Sequence, residues 1–444
     1  MGFGFGRRGL AGGLLALAGA GLAWAQGGWS CSCGANPPGP PKSRELRPYA
    51  NAPADLRPYA NFSAPYQEYY GSLVEYNGAA RDLPTLKASD VDEVRIGFLG
   101  PLENHPDQRL GRAMWNGATL AIEEANAGGG YGGKPFKLMA HNDQAAWGAS
   151  SNEVVKMAYG ERVWAILGSI SADSTHIGLR VALRSEVPIV NCASTDPTIP
   201  ETAIPWYLTT IQDDRVQGYT LARRIYTDLG LRRVALLRVD DRYGKFGVAK
   251  FKDAARRLGH PVVNEQRYAA GDEDFRRQLQ FIEQSNAGAI VIWGDAPAAA
   301  LILKQMREMG MKQRVFGSYR VYGDDLLQTA GAAAEGLEVV FPYDPTQGDP
   351  AWLRFQQRFE KRFGRQPDAV AALGFDTMNL LLRSICRAGL NRGKIRDALT
   401  ATERYRGVTG EMAFDPNCKN IAPMFLAVIH DGKAQFRRYG MDSR

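Results

Sequence analysis

ILGSISADST, from Ile166 to Thr175, and PIVNCASTDP, from Pro188 to Pro197, decide the fold. Each opens on a short apolar run suited to a buried parallel strand, then breaks into a turn of Ser, Thr and small residues. Such a turn presents backbone N–H groups and hydroxyls at the start of a helix, where negative charge is favoured. In an open α/β sheet, ligands bind outside the carboxyl ends of adjacent strands. Two such turns side by side make a cradle for a carboxylate or another polar group. No catalytic base accompanies them, so the pattern points to capture without chemistry.

The alternation of apolar strands and amphipathic helices extends in both directions. It starts at VRIGFLG (Val94 to Gly100), followed by a helix from Leu110 to Ala127 with an apolar stripe of Met114, Ala118, Leu120, Ala121 and Ala125. Strand FKLMA, a helix around Ser151 to Tyr159, strand VWAIL and a helix to Ser185 complete a parallel βαβ series. After WYLTTIQDD (Trp206 to Asp214) a second series runs through VALLRV, PVVNEQ, AIVIW and VFGS, with helices between them, and leaves through LEVVF (Leu337 to Phe341). Two comparable Rossmann-like halves imply two lobes with a cleft between them. The 444 residues leave room for both cores.

Composition excludes several classes. Hydrophobic residues at 45% and charged residues at 23% are ordinary for a globular chain, and the net charge of +7 is spread among acidic neighbours, which argues against a nucleic-acid surface. At the N-terminus, Arg7 and Arg8 precede an apolar segment from Leu10 to Trp24, and Ala23-Trp24-Ala25 offers small residues for cleavage before Gln26. Residues 1–25 therefore read as a signal peptide of an exported protein, with no later segment apolar enough to span a bilayer and no stable membrane insertion. Residues 26–92 form a Pro/Tyr-rich extension with a tandem repeat, LRPYANAPAD then LRPYANFSAP, and Tyr49, Tyr59, Tyr66, Tyr69 and Tyr70 are its candidate contacts with the body. Five cysteines (Cys31, Cys33, Cys192, Cys386 and Cys418) permit disulfides in an oxidising compartment, with their pairing and the oligomeric state left open.

Motifs that suggest chemistry fail on their details. GGGYGGKP (Gly128 to Pro135) has most of a phosphate loop, but Pro135 stands where Ser or Thr is needed. It also follows a helix and precedes a strand, the reverse of the required order, so it reads as a helix C-cap and turn. The five histidines form no close metal-ligand pair, no nucleophile elbow occurs, and no cofactor site is indicated. Asp143 in HNDQ reads as a turn residue.

From about Val94 onward the chain resembles the type I periplasmic binding proteins, the leucine/isoleucine/valine-binding family that serves ABC importers. IGFLGPL, NGATLAIEEANAGGGYGGKPF, ILGSISADST, PIVNCASTDP, VDDRYGKFG, LKQMREMGMKQRVFGS, AAEGLEVVFPYDP and GVTGEMAFDP carry the resemblance in this order. It implies two lobes with parallel sheets joined by three crossovers, near Tyr207 to Gln212, Phe341 to Asp344 and Arg406 to Gly410. Lobe 1 would then comprise 93–209 and 343–406, and lobe 2 would comprise 210–342 and 407–444. It also implies that Ser171-Ala172 and Ala193-Ser194-Thr195 grip a ligand carboxylate. Tyr243 would fold over the ligand, and Trp293 would be a second wall; core packing is the competing reading of both.

One departure from the family stands out. Amino-acid binders place a carboxylate after the strand matching VFGS, where this chain reads Tyr319-Arg320. An arginine cannot balance a ligand ammonium and favours a second anionic or carbonyl group. Asp295 is either a nearby negative charge or the N-cap of the next helix. The expectation is an exported solute-binding protein, periplasmic, handing a small polar solute to ABC importer permease subunits. That solute bears a carboxylate and is not a standard aliphatic amino acid. A ligand-sensing module that signals to a partner protein is the alternative, and a hydrolase-type enzyme the second alternative.

Overall fold

The computed structural model describes Trp29, Cys31 and residues 78–143, 147–202, 204–415 and 417–439. The signal segment, the tandem repeat, Cys33 and the five tyrosines named as candidate contacts lie outside the described residues.

Strands β1 (Val94–Gly100), β2 (Phe136–Asn142), β3 (Ile166–Gly168), β4 (Ile189–Asn191) and β5 (Tyr207–Thr209) form one parallel sheet in the order β2-β1-β3-β4-β5. The connecting helices are α1 (Gln108–Ala127), α2 (Trp147–Val155) and α3 (Ala172–Ser185). Buried Ile and Leu on β3 and Ile and Val on β4 leave no polar face, as a sheet covered on both sides requires. GGGYGGKP is a cap and hairpin turn, with Gly128 closing α1 and Tyr131 bridging to Lys134.

The second sheet begins after α4 (Asp214–Ala222). It takes up β6 (Val234–Val239), β7 (Asn264–Tyr268), β8 (Ala289–Trp293), β9 (Arg314–Gly317) and β10 (Glu338–Phe341). Between them run α5 (Arg242–Arg257), α6 (Arg276–Gln284), α7 (Ala296–Glu308) and α8 (Asp324–Ala330). The chain then returns to the first lobe as α9 (Pro350–Phe363), α10 (Ala369–Ala388) and α11 (Arg392–Thr400). By length and composition α10 is apolar enough to cross a membrane, contrary to the sequence expectation, but 89% of its apolar window is buried inside the protein. It is the central helix of lobe 1. Gly117 of α1 lets the two helices touch, because a Cβ there would meet the Ala371 carbonyl oxygen.

The C-terminal part departs from expectation. β11 (Arg404–Gly407) and β12 (Gly410–Ala413) form a small antiparallel hairpin, so the stretch from Arg406 to Gly410 is a turn and not a crossover. Tyr405, Met412, Phe414 and Cys418 pack into the core of lobe 1, so of the 407–444 expected in lobe 2 the part up to Cys418 belongs with lobe 1, while the last two strands join the second sheet. The chain rejoins the second sheet only at β13 (Phe425–His430), antiparallel to β10, followed by β14 (Lys433–Arg438), antiparallel to β13. Neither lobe-2 edge addition is parallel, so the second sheet is mixed.

Two crossovers fall where expected, after β5 and after β10. The third runs through 419–424 and lies beside the first: Asn420 Nδ2 donates to Thr210 O at 2.7 Å, and Gln212 Nε2 donates to Ala422 O at 3.1 Å. Asp376 of α10 pins the β11–β12 turn, accepting from Val408 N (2.8 Å), Thr409 N (2.9 Å) and Thr409 Oγ1 (2.6 Å). A side chain at Gly407 would collide with that carboxylate.

The start of the extension is fastened to lobe 1. Cys31 is disulfide-bonded to Cys386 of α10, and the Trp29 indole meets Phe136 edge-on with centroids 6.1 Å apart. Cys192 and Cys418 are buried and lie outside the disulfide, and burial pushes the Cys192 thiol up to about 12. Alkylation of the folded, unreduced protein is expected to spare Cys192 and Cys418. Peptide mass spectrometry should find Cys31 joined to Cys386, and a labelled Cys386 contradicts the pairing.

Burial raises Asp376 from 3.8 to about 6 despite its three donors. The folded form therefore binds the proton more tightly than the unfolded chain, so this group's contribution to stability is complete below pH 4 and is lost as pH rises through 6. Relative to Asp376→Asn, the parent protein should lose about 2 kcal/mol between pH 4 and pH 7 in denaturant titrations. A pH-independent difference contradicts the assignment.

Candidate functional site

The carboxyl ends of β3 and β4 carry the two turns, and one side chain holds them together. Asn191, at the end of β4, donates from Nδ2 to the carbonyls of Gly168 (3.0 Å) and Ser169 (2.8 Å). Its Oδ1 accepts from the amides of Ala193 and Ser194, both at 2.9 Å. Those two N–H groups are thus engaged within the protein, which corrects the expectation that the backbone of Ala193-Ser194 faces the ligand. What the second turn retains is Thr195, whose buried hydroxyl lies beside the Asp214 carboxyl group.

The first turn is built from below. Asp143, read from sequence as a turn residue, is fully buried and accepts a very short hydrogen bond from Ser169 Oγ, which in turn accepts from Ser171 N at 3.1 Å. Ser171 caps α3 by accepting from Ser174 N at 3.2 Å, which sets Ala172 at the first position of that helix.

Lobe 2 closes onto these turns. The Tyr319 ring packs into the lobe 1 core, and its hydroxyl donates to Ala193 O at 2.9 Å. Its amide donates to Gln217 Oε1 of α4 at 3.3 Å. Arg320 is 9% exposed, and its guanidinium carbon lies 4.1 Å from the centroid of the Tyr243 ring. It donates from Nε to Tyr319 Oη at 3.3 Å and lies 3.7 Å from the Asp107 carboxylate of lobe 1. Tyr243, at the start of α5, donates to Ser318 Oγ at 2.9 Å, and burial holds its phenol well above its ordinary range. The sequence thus named residues that the fold brings together from both lobes.

Two expectations resolve differently. Trp293 sits in the lobe 2 core against Gly247 of α5, with its ring centroid 6.4 Å from that of Tyr243, so core packing accounts for its position. Asp295 is the N-cap of α7, accepting from Ala298 N at 3.3 Å.

A second set of contacts clasps the lobes at the rim. Arg242 donates to Asp196 Oδ2 (2.7 Å), Thr198 Oγ1 (3.0 Å) and Asp173 Oδ1 (3.3 Å), all in lobe 1, while its guanidinium lies over Phe246 at 4.3 Å. Arg215 of α4 pairs with Glu201 of lobe 1. These contacts join the two lobes directly at the rim.

Sequence reading missed Asp214. Asp213 already caps α4 through Arg215 N and Val216 N, both at 3.1 Å, so the second aspartate is not needed for the helix. Asp214 is 1% exposed, its amide donates to Thr195 O at 2.8 Å, and its carboxyl group lies beside the Thr195 hydroxyl. Desolvation raises its pKa well above the ordinary carboxylate value, with a hydrogen bond from Thr195 and the charge of Arg320 opposing that rise and Asp196 and Asp213 adding to it. The doubled Asp directly after a crossover was the available signal.

A bilobed α/β clamp with polar turns facing aromatic and charged groups across a buried seam defines a solute-binding protein. The periplasmic binding protein family model matches residues 93–434, and the chain belongs to that family. It is 26% identical over 301 residues to an amino acid binding protein of Pseudomonas aeruginosa, covering 67% of this chain and 80% of the relative. A leucine-, isoleucine-, valine-, threonine- and alanine-binding protein of the same organism is 24% identical, covering 73% of this chain and 86% of the relative. Among solved structures, a leucine binding protein of Thermotoga maritima superposes with a TM-score of 0.70 at 26% identity, covering 78% of this chain and 97% of the other. A solute binding protein of R. palustris in complex with benzoate has the same fold, with a TM-score of 0.70 at 18% identity over 78% of this chain and 96% of the other.

Arg242→Ala removes three interlobe hydrogen bonds at a partly exposed site, worth about 1–3 kcal/mol of closure. Small-angle scattering should report a larger radius of gyration for the ligand-free variant than for the parent. Equal radii contradict the clasp.

Proposed function

We propose that this protein is the exported solute-binding component of an ABC importer. Its ligand is a small carboxylate-bearing molecule with a second polar or anionic group, not a standard aliphatic amino acid. Arg320 carries this reading: a buried guanidinium at the seam, stacked on Tyr243 and only loosely matched by Asp107 at 3.7 Å. A guanidinium has five donors in a planar fork, and here one of them is spent on Tyr319 Oη at 3.3 Å. The remaining donors suit an oxygen-rich group, whereas an alkyl side chain would leave them unpaired at a cost of about 1–3 kcal/mol.

Relatives named for amino acids and neighbours solved with benzoate or 3,4-dihydroxybenzoic acid support a carboxylate-bearing ligand. Thr195, with Ser194 and the start of α3 at Ser171-Ala172, receives the carboxylate from lobe 1, and Tyr243, Tyr319 and Arg320 cover it from lobe 2. The ligand acts as a bridge: it touches both lobes only when they are closed, so binding shifts the population to the closed form. That form is what the permease subunits recognise. Export through residues 1–25 places the mature protein in the periplasm. The chain does no chemistry of its own on the solute.

A thermal-shift screen tests this. A true ligand at about 100 times its dissociation constant adds roughly 2.7 kcal/mol of stability. Organic acids with a second polar group are expected to stabilise, and Arg320→Ala should weaken them by about 1–3 kcal/mol. Strong stabilisation by leucine or valine, with organic acids inert, contradicts the reading.

A further inference from the structure

We propose that the pole of lobe 1 farthest from the seam is a docking surface for this chain's own residues 62–77, the last part of the Pro/Tyr-rich extension. The inference concerns a face remote from the solute and does not depend on the proposed function.

The surface is built by the ends of two helices. α3 starts at the cradle and runs 14 residues, about 21 Å, to Ser185, so its last turn lies far from the seam. α2 continues through a π-turn, Lys156–Gly160, and Val154, Met157 and Ala158 pack with Leu179 and Ala182 of α3 in one core cluster. On the outside of that packing stand Val155, Tyr159 and Leu183, all exposed, with Leu83 close by. Arg392 ties the patch together: it donates to the carbonyls of Ala158 (2.7 Å), Val163 (3.0 Å) and Ser185 (3.0 Å). Its neighbour Asn391 donates to Leu83 O at 2.8 Å. Four of the six exposed large apolar side chains among the described residues therefore gather around one arginine. Single exposed apolar residues are ordinary, whereas a group of them marks an interaction surface.

The patch is also basic. Arg162 and Arg184 are exposed and Arg392 is half-buried, and among the described residues none of the three is paired with a carboxylate. What covers this face must combine apolar or aromatic groups with negative charge.

Residues 62–77 read FSAPYQEYYGSLVEYN: one Phe, four Tyr, Leu73 and Val74, with Glu68 and Glu75 as the sole charges. The chain also delivers this segment to the patch. Glu186, the C-cap of α3 one turn beyond Leu183, accepts from Ala79 N (3.0 Å) and Ala80 N (2.5 Å), and Gly78 lies against its carboxylate. Upstream, Cys31 is held to Cys386 of the same lobe, so the extension is anchored to lobe 1 at both ends. A segment tethered this closely has an effective concentration on the order of millimolar, which outcompetes a dilute partner. A second copy is disfavoured as occupant, because a two-fold contact through this face brings two basic patches together.

The test is hydroxyl-radical footprinting of the full mature protein, read by peptide mass spectrometry at Tyr159 and Leu183. The parent is compared with the combined variant Tyr69→Ser, Tyr70→Ser and Leu73→Ser, at low and high protein concentration. Carbodiimide coupling of the parent adds a reading that needs no variant. Oxidation of Tyr159 and Leu183 is expected to be severalfold slower in the parent than in the variant at both concentrations. Coupling should join Glu68 or Glu75 to Lys156 within one chain. If the variant fails to fold, the cross-link in the parent decides the matter. Equal oxidation in the two proteins, or absence of that cross-link, overturns the proposal. Protection that grows with protein concentration overturns it in favour of a second copy.

Discussion

The seam between the two sheets is buried, and every charge that enters it needs a partner. That constraint organises the molecule. Around the seam lie Asp107, Asp196, Asp213, Asp214, Arg242 and Arg320, and most of them are matched: Arg242 with Asp196, Asp213 with its helix amides, Arg320 with an aromatic face and a distant carboxylate. In a medium of low polarity an unmatched charge is expensive, which is why these partners are in place.

Closure also requires hinges that bend without tearing. Two crossover segments run side by side at Thr210–Gln212 and Asn420–Ala422, cross-bonded through Asn420 and Gln212, so they bend as one strip. Asp376 fixes the hairpin that precedes the third crossover to the central helix of lobe 1. The disulfide from Cys31 reaches that same helix, so Cys31 and the hairpin are both tied to lobe 1.

The lobes, the two turns and the cross-seam residues Tyr243, Tyr319 and Arg320 were legible because strand and helix periods are strong signals and the turns are loaded with capping residues. What failed to show follows a pattern. The β11–β12 hairpin and β14 are short and polar, with no apolar run to announce them. The apolarity of α10 was underrated because small residues and a few polar ones dilute it, although nearly all of it is buried. Asn191 looked like the end of a strand. Only the fold shows that its amide occupies the N–H groups of Ala193 and Ser194. Asp214 was hidden behind its neighbour, since either member of a doubled aspartate can cap a helix and the chain alone does not say which is left over. The pairing of Cys31 with Cys386 joins positions 355 apart, a closeness that no local pattern encodes.

The central claim is that a solute bridges Thr195 of one lobe and Arg320 with Tyr243 of the other. A crystal structure of the protein purified with whatever it captures in the cell addresses this directly. The account predicts electron density for a small, oxygen-rich molecule enclosed at the carboxyl ends of β3 and β4, within hydrogen-bonding reach of both Thr195 and Arg320. Density for a bound solute on an outer face, with those side chains packed against protein alone, would contradict it.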